Sequence, residues 1–159
     1  MKKIILMMLS LIVALLLTQL PLPLDLMWLR PAWVTIILIY WTFTQPYPYH
    51  LIIAFLVGIL LDGLDGSLLG THALALVVVV YLTLYLFKQM RFHSVFIQMF
   101  LVGFLVLVQQ FILFLIEGIN GYTITEWQFW LVPVVSMVYW PIIYVVLHAF
   151  KTRSQVKSS

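Results

Sequence analysis

The sequence contains no cysteine and very few charged residues. Without cysteine, thiol catalysis, disulfide bonds and cysteine-ligated metal sites are excluded. No HExxH metal-binding helix, G-x-S-x-G nucleophile turn or P-loop occurs in the chain. The four histidines lack the spacing of metal ligands, and we expect them to be packing or interfacial residues. These absences predict a protein that is not an enzyme and that uses no cofactor or metal.

Charged residues make up 8% of the chain and hydrophobic residues 65%, with a mean hydropathy of +1.16. An ordinary soluble domain carries roughly 25% charged residues. A chain of 159 residues cannot hide so much apolar surface in one aqueous core, because small domains leave a large fraction of their surface exposed. Most segments also lack the polar face that a helix needs in water. The composition therefore predicts an all-α membrane protein.

Six apolar runs predict six transmembrane helices, at residues 4–20, 32–44, 49–61, 68–87, 95–116 and 129–150. We expect one transmembrane domain over residues 1–150 and a basic cytoplasmic tail at 151–159. The first run is followed by no A-x-A-like cleavage site, so we interpret it as a retained helix rather than a signal peptide. The second and third runs, roughly 20 Å long as helices, are shorter than the ~30 Å hydrocarbon core. They either span with the help of flanking aromatic residues or form a shallow pair.

The placement of charge supports six spans with both termini in the cytoplasm. The net charge of +3 comes from a few basic residues between the apolar runs and near the chain ends, which is typical of topology signals rather than of nucleic-acid binding. With six spans, seven of the eight basic residues lie inside: Lys2, Lys3, Lys88, Arg91, Lys151, Arg153 and Lys157. The exception is Arg30. All five acids fall outside or at that boundary: Asp25, Asp62, Asp65, Glu117 and Glu126.

The stretch between the third and fourth runs carries a regular pattern of small and acidic residues. Gly58, Asp62, Gly66 and Gly70 recur every four residues. We expect Asp62 and the following glycine to end the third helix, and Asp65 or Ser67 to cap the fourth. The Gly66-x-x-x-Gly70 spacing predicts a close approach of another backbone.

The same stretch allows three interpretations. It forms a tight helical hairpin with capping residues, a docking surface or polar pocket, or a pair of catalytic carboxylates. The last is the weakest, because Asp62 and Asp65 share one helical turn, whereas intramembrane aspartyl proteases carry their two aspartates on separate helices.

Polar residues near the membrane interior are the remaining candidates. Gln109 and Gln110 lie deep in the fifth run, where an amide needs a hydrogen-bond partner. They either make an interhelical hydrogen bond or line a ligand cavity. Pro31 suits the first turn of the second helix. Arg30 either anchors at the outer headgroups or pairs with Asp62, Asp65 or a partner's carboxylate.

These motifs resemble a known family in their order and spacing. The matching residues are Arg30-Pro31, Tyr40-Trp41, Gly58-x-x-x-Asp62-x-x-x-Gly66-Ser67-x-x-Gly70 and His72-Ala73-Leu74. They resemble the MreD family of rod shape-determining proteins. The specific residues lie between positions 30 and 81, while the second half of the chain matches only in character.

The resemblance implies a non-enzymatic inner-membrane subunit of the bacterial cell-elongation (rod) complex. Its partners would be an MreC-like bitopic protein, an MreB-type filament, and a peptidoglycan polymerase and transpeptidase. The fold would be similar to the six-helix substrate-binding subunits of vitamin (ECF-type) transporters. We therefore expect a scaffold protein. The alternative is a ligand-binding subunit of a small-molecule transporter, with a pocket formed by the Gln109 region and the 62–65 loop. Converging polar groups would favour the transporter, and an apolar groove open to lipid the scaffold.

The predicted topology can be tested by labelling single cysteines introduced into this cysteine-free chain. An impermeant thiol reagent applied to intact cells should label a cysteine within residues 62–67 and leave a cysteine at position 90 unlabelled. The reason is the seven-to-one split of basic residues between the two sides. Labelling of position 90 from outside would contradict the six-span topology.

Overall fold

A computed structural model describes residues 2–21, 30–90, 94–121 and 127–156, and every regular element in these ranges is helical. The helices are α1 Lys2–Gln19, α2 Trp33–Thr44, α3 Tyr49–Asp65, α4 Thr71–Met90, α5 Val95–Ile119 and α6 Val132–Val156. A 3-10 turn at Trp127–Leu131 leads into α6. The predicted all-helical class is confirmed in the described part of the chain. The predicted stretch around Asp25 and Trp28, Arg91 and Glu126 lie outside the described residues.

The helix boundaries differ from the predicted ones in two places. Helix α3 does not end at Asp62 but continues to Asp65, and Gly66 closes it in the left-handed conformation with φ +67°. Helix α4 begins at Thr71, three residues after the predicted start at residue 68. At the other end of the chain, α6 continues past residue 150 to Val156, so the first part of the basic tail is helical.

Helix α2 is the centre of the bundle. Ten consecutive residues, Val34 to Phe43, are buried, and the helix contacts each of the other five α-helices. With 12 residues it is only about 18 Å long. A helix that is apolar on all sides must be covered on all sides. Here protein rather than lipid covers it, which explains how so short a helix lies inside this fold.

The outer wall of the bundle is apolar. Large hydrophobic side chains such as Leu16, Phe96, Phe100 and Val145 are each more than half exposed, where a water-soluble bundle would carry polar residues. Two helical stretches, Val95–Ile119 and Phe129–Phe150, are long and apolar enough to cross a membrane. Three more are apolar but shorter: Ile4–Gln19, Trp33–Thr44 and Thr71–Leu86. This surface is suited to lipid.

The glycine at which two backbones approach most closely is Gly58. A Cβ atom added there would overlap the backbone of Ala73 in α4. Nothing lies within 4 Å of the Cβ positions of Gly66 and Gly70, which instead have positive φ angles of 67° and 106°. The expectation that Gly66 and Gly70 permit close helix packing is therefore wrong within this chain. They are glycines because of their turn conformation, and Gly58 joins α3 to α4.

We expect Gly58→Ala to destabilise the purified protein in detergent by roughly 1–3 kcal/mol, the usual cost of overpacking. Gly63→Ala is the matched control on the same helix, because nothing lies within 4 Å of its Cβ position. Alanine there should be neutral or stabilise by up to about 1 kcal/mol through its better helix propensity. Equal effects of the two substitutions on thermal unfolding would show that the α3–α4 contact does not limit stability.

Candidate functional site

The carboxylate of Asp62 is the central polar group of the α3–α4 turn. Its Oδ1 accepts hydrogen bonds from the backbone N–H of His72, from His72 Nδ1 and from the Ser67 hydroxyl, each at 2.8 Å. Its Oδ2 accepts from the Gly70 N–H at 2.8 Å and, at 3.5 Å, from the Ala73 N–H. The side chain is fully buried. Asp62 therefore caps the N-terminus of α4 from the preceding helix.

The geometry keeps this carboxylate ionised. Asp62 lies just beyond the third apolar run, outside the segment expected to span the membrane. Burial alone would raise the pKa of its carboxyl, but the hydrogen bonds from His72, Ser67 and Gly70 outweigh burial and lower the pKa below its usual value. The negative charge also lies at the positive end of the α4 dipole.

One expectation about this turn is wrong. Asp65 and Ser67 do not cap α4, because Asp62 takes that position and the Ser67 hydroxyl donates to it. The Asp65 side chain instead accepts a hydrogen bond from Gln19 Nε2 of α1 at 2.9 Å. The two aspartates thus serve different contacts, and the oxygens of Asp62 are occupied by N–H and O–H donors. The helical hairpin with a capping residue is the interpretation that the geometry supports.

A cavity of about 370 Å³ with a mixed polar and apolar lining lies beside this turn, and we call it the polar cavity because charged side chains line it. It opens at the end of the bundle where α1, α3 and α5 finish and α2, α4 and α6 begin. Eight polar or charged residues line it: Thr18, Arg30, Thr35, Asp65, His72, Gln109, Gln110 and Glu117. Apolar side chains, among them Trp33 and Leu113, complete the wall. The cavity brings together residues that are up to 114 positions apart in the sequence, from Thr18 to Val132.

The two glutamines make the hydrogen bonds to neighbouring segments that their position in the fifth run predicts. Gln109 Oε1 accepts a hydrogen bond from the Thr35 hydroxyl of α2 at 2.6 Å. Gln110 Nε2 donates to the carbonyl of Phe129, before α6, at 3.0 Å. Each side chain is 6% exposed. The glutamines therefore join α5 to its neighbours, and each also lines the cavity.

Arg30 and Pro31 lie just before α2, which begins at Trp33 with Ala32 as its N-cap, so the expected place of Pro31 in the first helical turn is wrong. The Arg30 Nη2 donates to the carbonyl of Leu20 at 2.7 Å, and its Nε has no hydrogen-bond partner in the described part of the chain. Arg30 forms no ion pair with Asp62 or Asp65, so that expectation is not met. Pro31 is buried, and its carbonyl accepts from the N–H of Trp33 at 2.8 Å.

Tyr40 and Trp41 lie in the core of the bundle rather than at a surface. The indole Nε1 of Trp41 donates to the Ser10 hydroxyl of α1 at 2.9 Å. The Tyr40 ring packs edge-on against Tyr144 of α6, with ring centroids 5.8 Å apart. Trp41 therefore holds α2 against α1, and Tyr40 holds it against α6.

An apolar groove of about 480 Å³ lies on the side wall of the bundle, between α1 and α6. Apolar side chains form its two walls: Leu6, Leu9 and Val13 of α1, and Ile142, Val146 and Phe150 of α6. Ile37 of α2 lies at its base. The hydroxyl of Ser10 also lines the groove, but it is engaged by Met7 and Trp41. The groove thus presents an apolar surface.

From the sequence, three residues of these sites had no expected role in a capping network or a cavity. His72 was expected to be a packing or interfacial residue, yet it hydrogen-bonds to Asp62 and lines the cavity. Glu117 and Thr35 also line the cavity. A signal for His72 was its position two residues after Gly70, at the start of the capped helix. In the described part of the chain, no group of three or more His, Cys, Asp or Glu residues could hold a metal ion.

The capping role of Asp62 predicts an order of damage. Asp62→Asn keeps one acceptor oxygen but turns an amide toward N–H donors, so we expect a loss of roughly 1–3 kcal/mol in unfolding free energy. Asp62→Leu leaves the amides of Gly70 and His72 unpaired, which should cost about twice as much. Asp65→Asn is the control, since Asp65 is exposed. Thermal unfolding in detergent measures all three, and an asparagine variant as unstable as the leucine variant would contradict the capping role.

Comparison with known proteins agrees with the resemblance seen in the sequence. Residues 1–150 match the protein family described as rod shape-determining protein MreD. The chain is also similar to a rod shape-determining protein MreD from Haemophilus influenzae. The two are 30% identical over 146 residues, which cover 92% of this chain and 89% of that protein. No solved structure matches the chain.

The family match covers all of the helices α1 to α5 and most of α6. It includes the Asp62 turn, the polar cavity and the apolar groove. The apolar outer wall and the two helices that are long enough to cross a membrane agree with a membrane location. The chain therefore belongs to the MreD family of membrane proteins and has a role in determining rod shape.

Proposed function

We propose that the protein is a non-enzymatic scaffold of the bacterial rod complex in the inner membrane. In this proposal it binds an MreC-like bitopic protein and, within the same complex, couples MreB-type filaments to a peptidoglycan polymerase and transpeptidase. The observation that carries the proposal is the apolar groove between α1 and α6. A protein without chemistry of its own acts through contacts, and a groove in the lipid-facing wall is suited to one apolar helix.

The groove has the composition that a transmembrane helix requires of its neighbour. Leu9 and Ile142 on its two walls are 57% and 59% exposed, so they are available to an incoming helix. Between helices in lipid, association depends on close van der Waals packing. A recess of about 480 Å³ offers more packing contacts than a convex helix surface does. The single span of a bitopic partner is the occupant that we propose for it.

The proposed topology has six spans, with both termini and the 151–159 tail in the cytoplasm and residues 1–150 as one transmembrane domain. Successive helices alternate in direction, since α1, α3 and α5 end beside the polar cavity, where α2, α4 and α6 begin. Alternation of this kind supports six crossings. The cavity and the Asp62 turn would then face the periplasm, opposite the side on which the positive-inside rule places seven of the eight basic residues.

The absence of enzyme activity is supported by how Asp62 is used. Asp62 is the one fully buried acid among the described residues. A catalytic carboxylate must reach a substrate, whereas both oxygens of Asp62 accept hydrogen bonds from the turn that it caps. Asp65, which lies three residues later, is exposed and bonded to Gln19. The arrangement does not form a dyad.

Two matched substitutions on α6 test the groove. Val146→Trp fills the groove, so it should reduce co-purification with the MreC-like partner by about tenfold or more, since each ~1.4 kcal/mol of lost packing is a factor of ten. It should also fail to restore rod shape in depleted cells. Val138→Trp is the control, because Val138 is 59% exposed on the same helix and does not line the groove. Equal retention of the partner by both variants would contradict the groove as the contact surface.

The alternative function is a ligand-binding subunit of a small-molecule transporter, similar in fold to those of ECF-type vitamin transporters. The observation that favours it is the polar cavity, where Gln109, Gln110 and the Asp65 end of α3 converge. Saturable binding of a vitamin-like solute by the purified protein, together with depleted cells that remain rods, would support the transporter. Rounded cells and no solute binding would support the scaffold.

A further inference from the structure

We propose that the polar cavity binds a zwitterionic headgroup that carries both a phosphate ester and a primary ammonium, the chemistry of phosphatidylethanolamine. This binding site is independent of the groove and of the scaffold role. The proposal rests on three observations: the charges that line the cavity, its hydrogen-bonding atoms without a partner among the described residues, and its position at the end of the bundle.

The charges that line the cavity call for a ligand with both signs. Arg30 contributes one positive charge, and Asp65 and Glu117 contribute two negative charges. A simple anion attracted to Arg30 would meet two carboxylates. A simple cation would leave the guanidinium without a counter-charge, since Arg30 forms no ion pair in the described part of the chain. A phosphate beside Arg30 and an ammonium beside Glu117 would satisfy both ends.

Several hydrogen-bonding groups around the cavity are not used by the protein. Gln109 is engaged through Oε1, which leaves its Nε2 donor, and Gln110 through Nε2, which leaves its Oε1 acceptor. Among the described residues, the Glu117 carboxylate has no hydrogen-bond partner and Arg30 donates a hydrogen bond only through its Nη2. Donors for a phosphate and acceptors for an ammonium are therefore both present. Since both glutamines are almost fully buried, their free ends are held in place.

A primary ammonium fits this site better than a quaternary one. The acceptors Glu117 and Gln110 require N–H donors, and an ammonium group has three of them. A trimethylated ammonium has the same charge and none of these donors. A glycerol headgroup keeps the phosphate and loses the positive charge. These two headgroups therefore separate the contributions of charge and of hydrogen bonding.

The size and position of the cavity suit a headgroup. Its volume of about 370 Å³ lies in the range of ligand sites, roughly 300–1,000 Å³. It opens at the end of the bundle, beside an outer wall that is apolar. The same chemistry could come from a membrane lipid or from a free glycerophosphoethanolamine, and the two sources can be told apart by experiment.

The test uses the full chain in detergent micelles, titrated with dihexanoyl phosphatidylethanolamine, phosphatidylcholine and phosphatidylglycerol, and with glycerophosphoethanolamine. Binding is followed by tryptophan fluorescence, because Trp33 lines the cavity, and by calorimetry. We expect the ethanolamine lipid to bind about tenfold tighter than either other lipid, which corresponds to one charge-assisted hydrogen bond. If glycerophosphoethanolamine binds as tightly as the lipid, the free headgroup is sufficient for binding. If only the lipid binds, the ligand is a membrane lipid. Both results support the site.

Two substitutions locate the binding. Arg30→Gln and Glu117→Gln should each weaken binding of the ethanolamine lipid by about tenfold, and Arg30→Lys should restore part of it. Lys2→Gln is the charge-matched control, since Lys2 begins α1 about 24 Å from Thr18 at the cavity. Equal affinity of the unsubstituted protein for all three lipids, or no saturable binding of any, would overturn the proposal. That comparison needs no variant, so it holds even if a substituted protein does not fold.

Discussion

The hydrogen bonds of the Asp62 carboxylate are the interaction on which the arrangement of this bundle depends. Lipid offers no partner to the free N–H groups at the start of a helix, so a helix that begins within or near the membrane needs one from the protein. Asp62 provides it from the last turn of α3, through the amides of Gly70 and His72. Because the cap comes from the preceding helix, it also determines how α3 and α4 lie against each other. Gly58, one turn earlier on α3, then lets the backbone of Ala73 come close.

The second constraint is the short central helix. Helix α2 has no polar face and is buried along ten residues, so its five neighbours must surround it. Three polar contacts position it within an otherwise apolar core: Thr35 with Gln109, Trp41 with Ser10, and the backbone N–H of Ala32 with the Ser136 hydroxyl. They join α2 to α5, α1 and α6. Hydrogen bonds of this kind fix the orientation of one helix against another, because apolar contacts alone allow several orientations.

The groove and the cavity, both formed by described residues, differ in chemistry and in position. The groove between α1 and α6 is apolar and lies on the side wall, while the cavity beside the Asp62 turn is polar and lies at one end. From the sequence alone, an apolar groove and a polar pocket were alternatives, one typical of a scaffold and the other of a transporter. Their coexistence is consistent with a scaffold that holds a partner helix at its side and a headgroup at its end. Membership in the MreD family agrees with the first of these roles.

The sequence by itself determined the class of the protein and its family, because composition and the length of apolar runs depend only on local chemistry. It also predicted that Gln109 would need a partner and that Asp62 would serve a helix end. Only the tertiary structure decided which partner and which end. A capping carboxylate is expected within its own turn, whereas Asp62 reaches α4 from α3, and Gln109 meets Thr35 from 74 positions away. The burial of α2 within the protein was likewise not predictable, because an apolar run of 12 residues has the same composition whether lipid or protein surrounds it. The choice depends on contacts between distant segments, which no local pattern encodes.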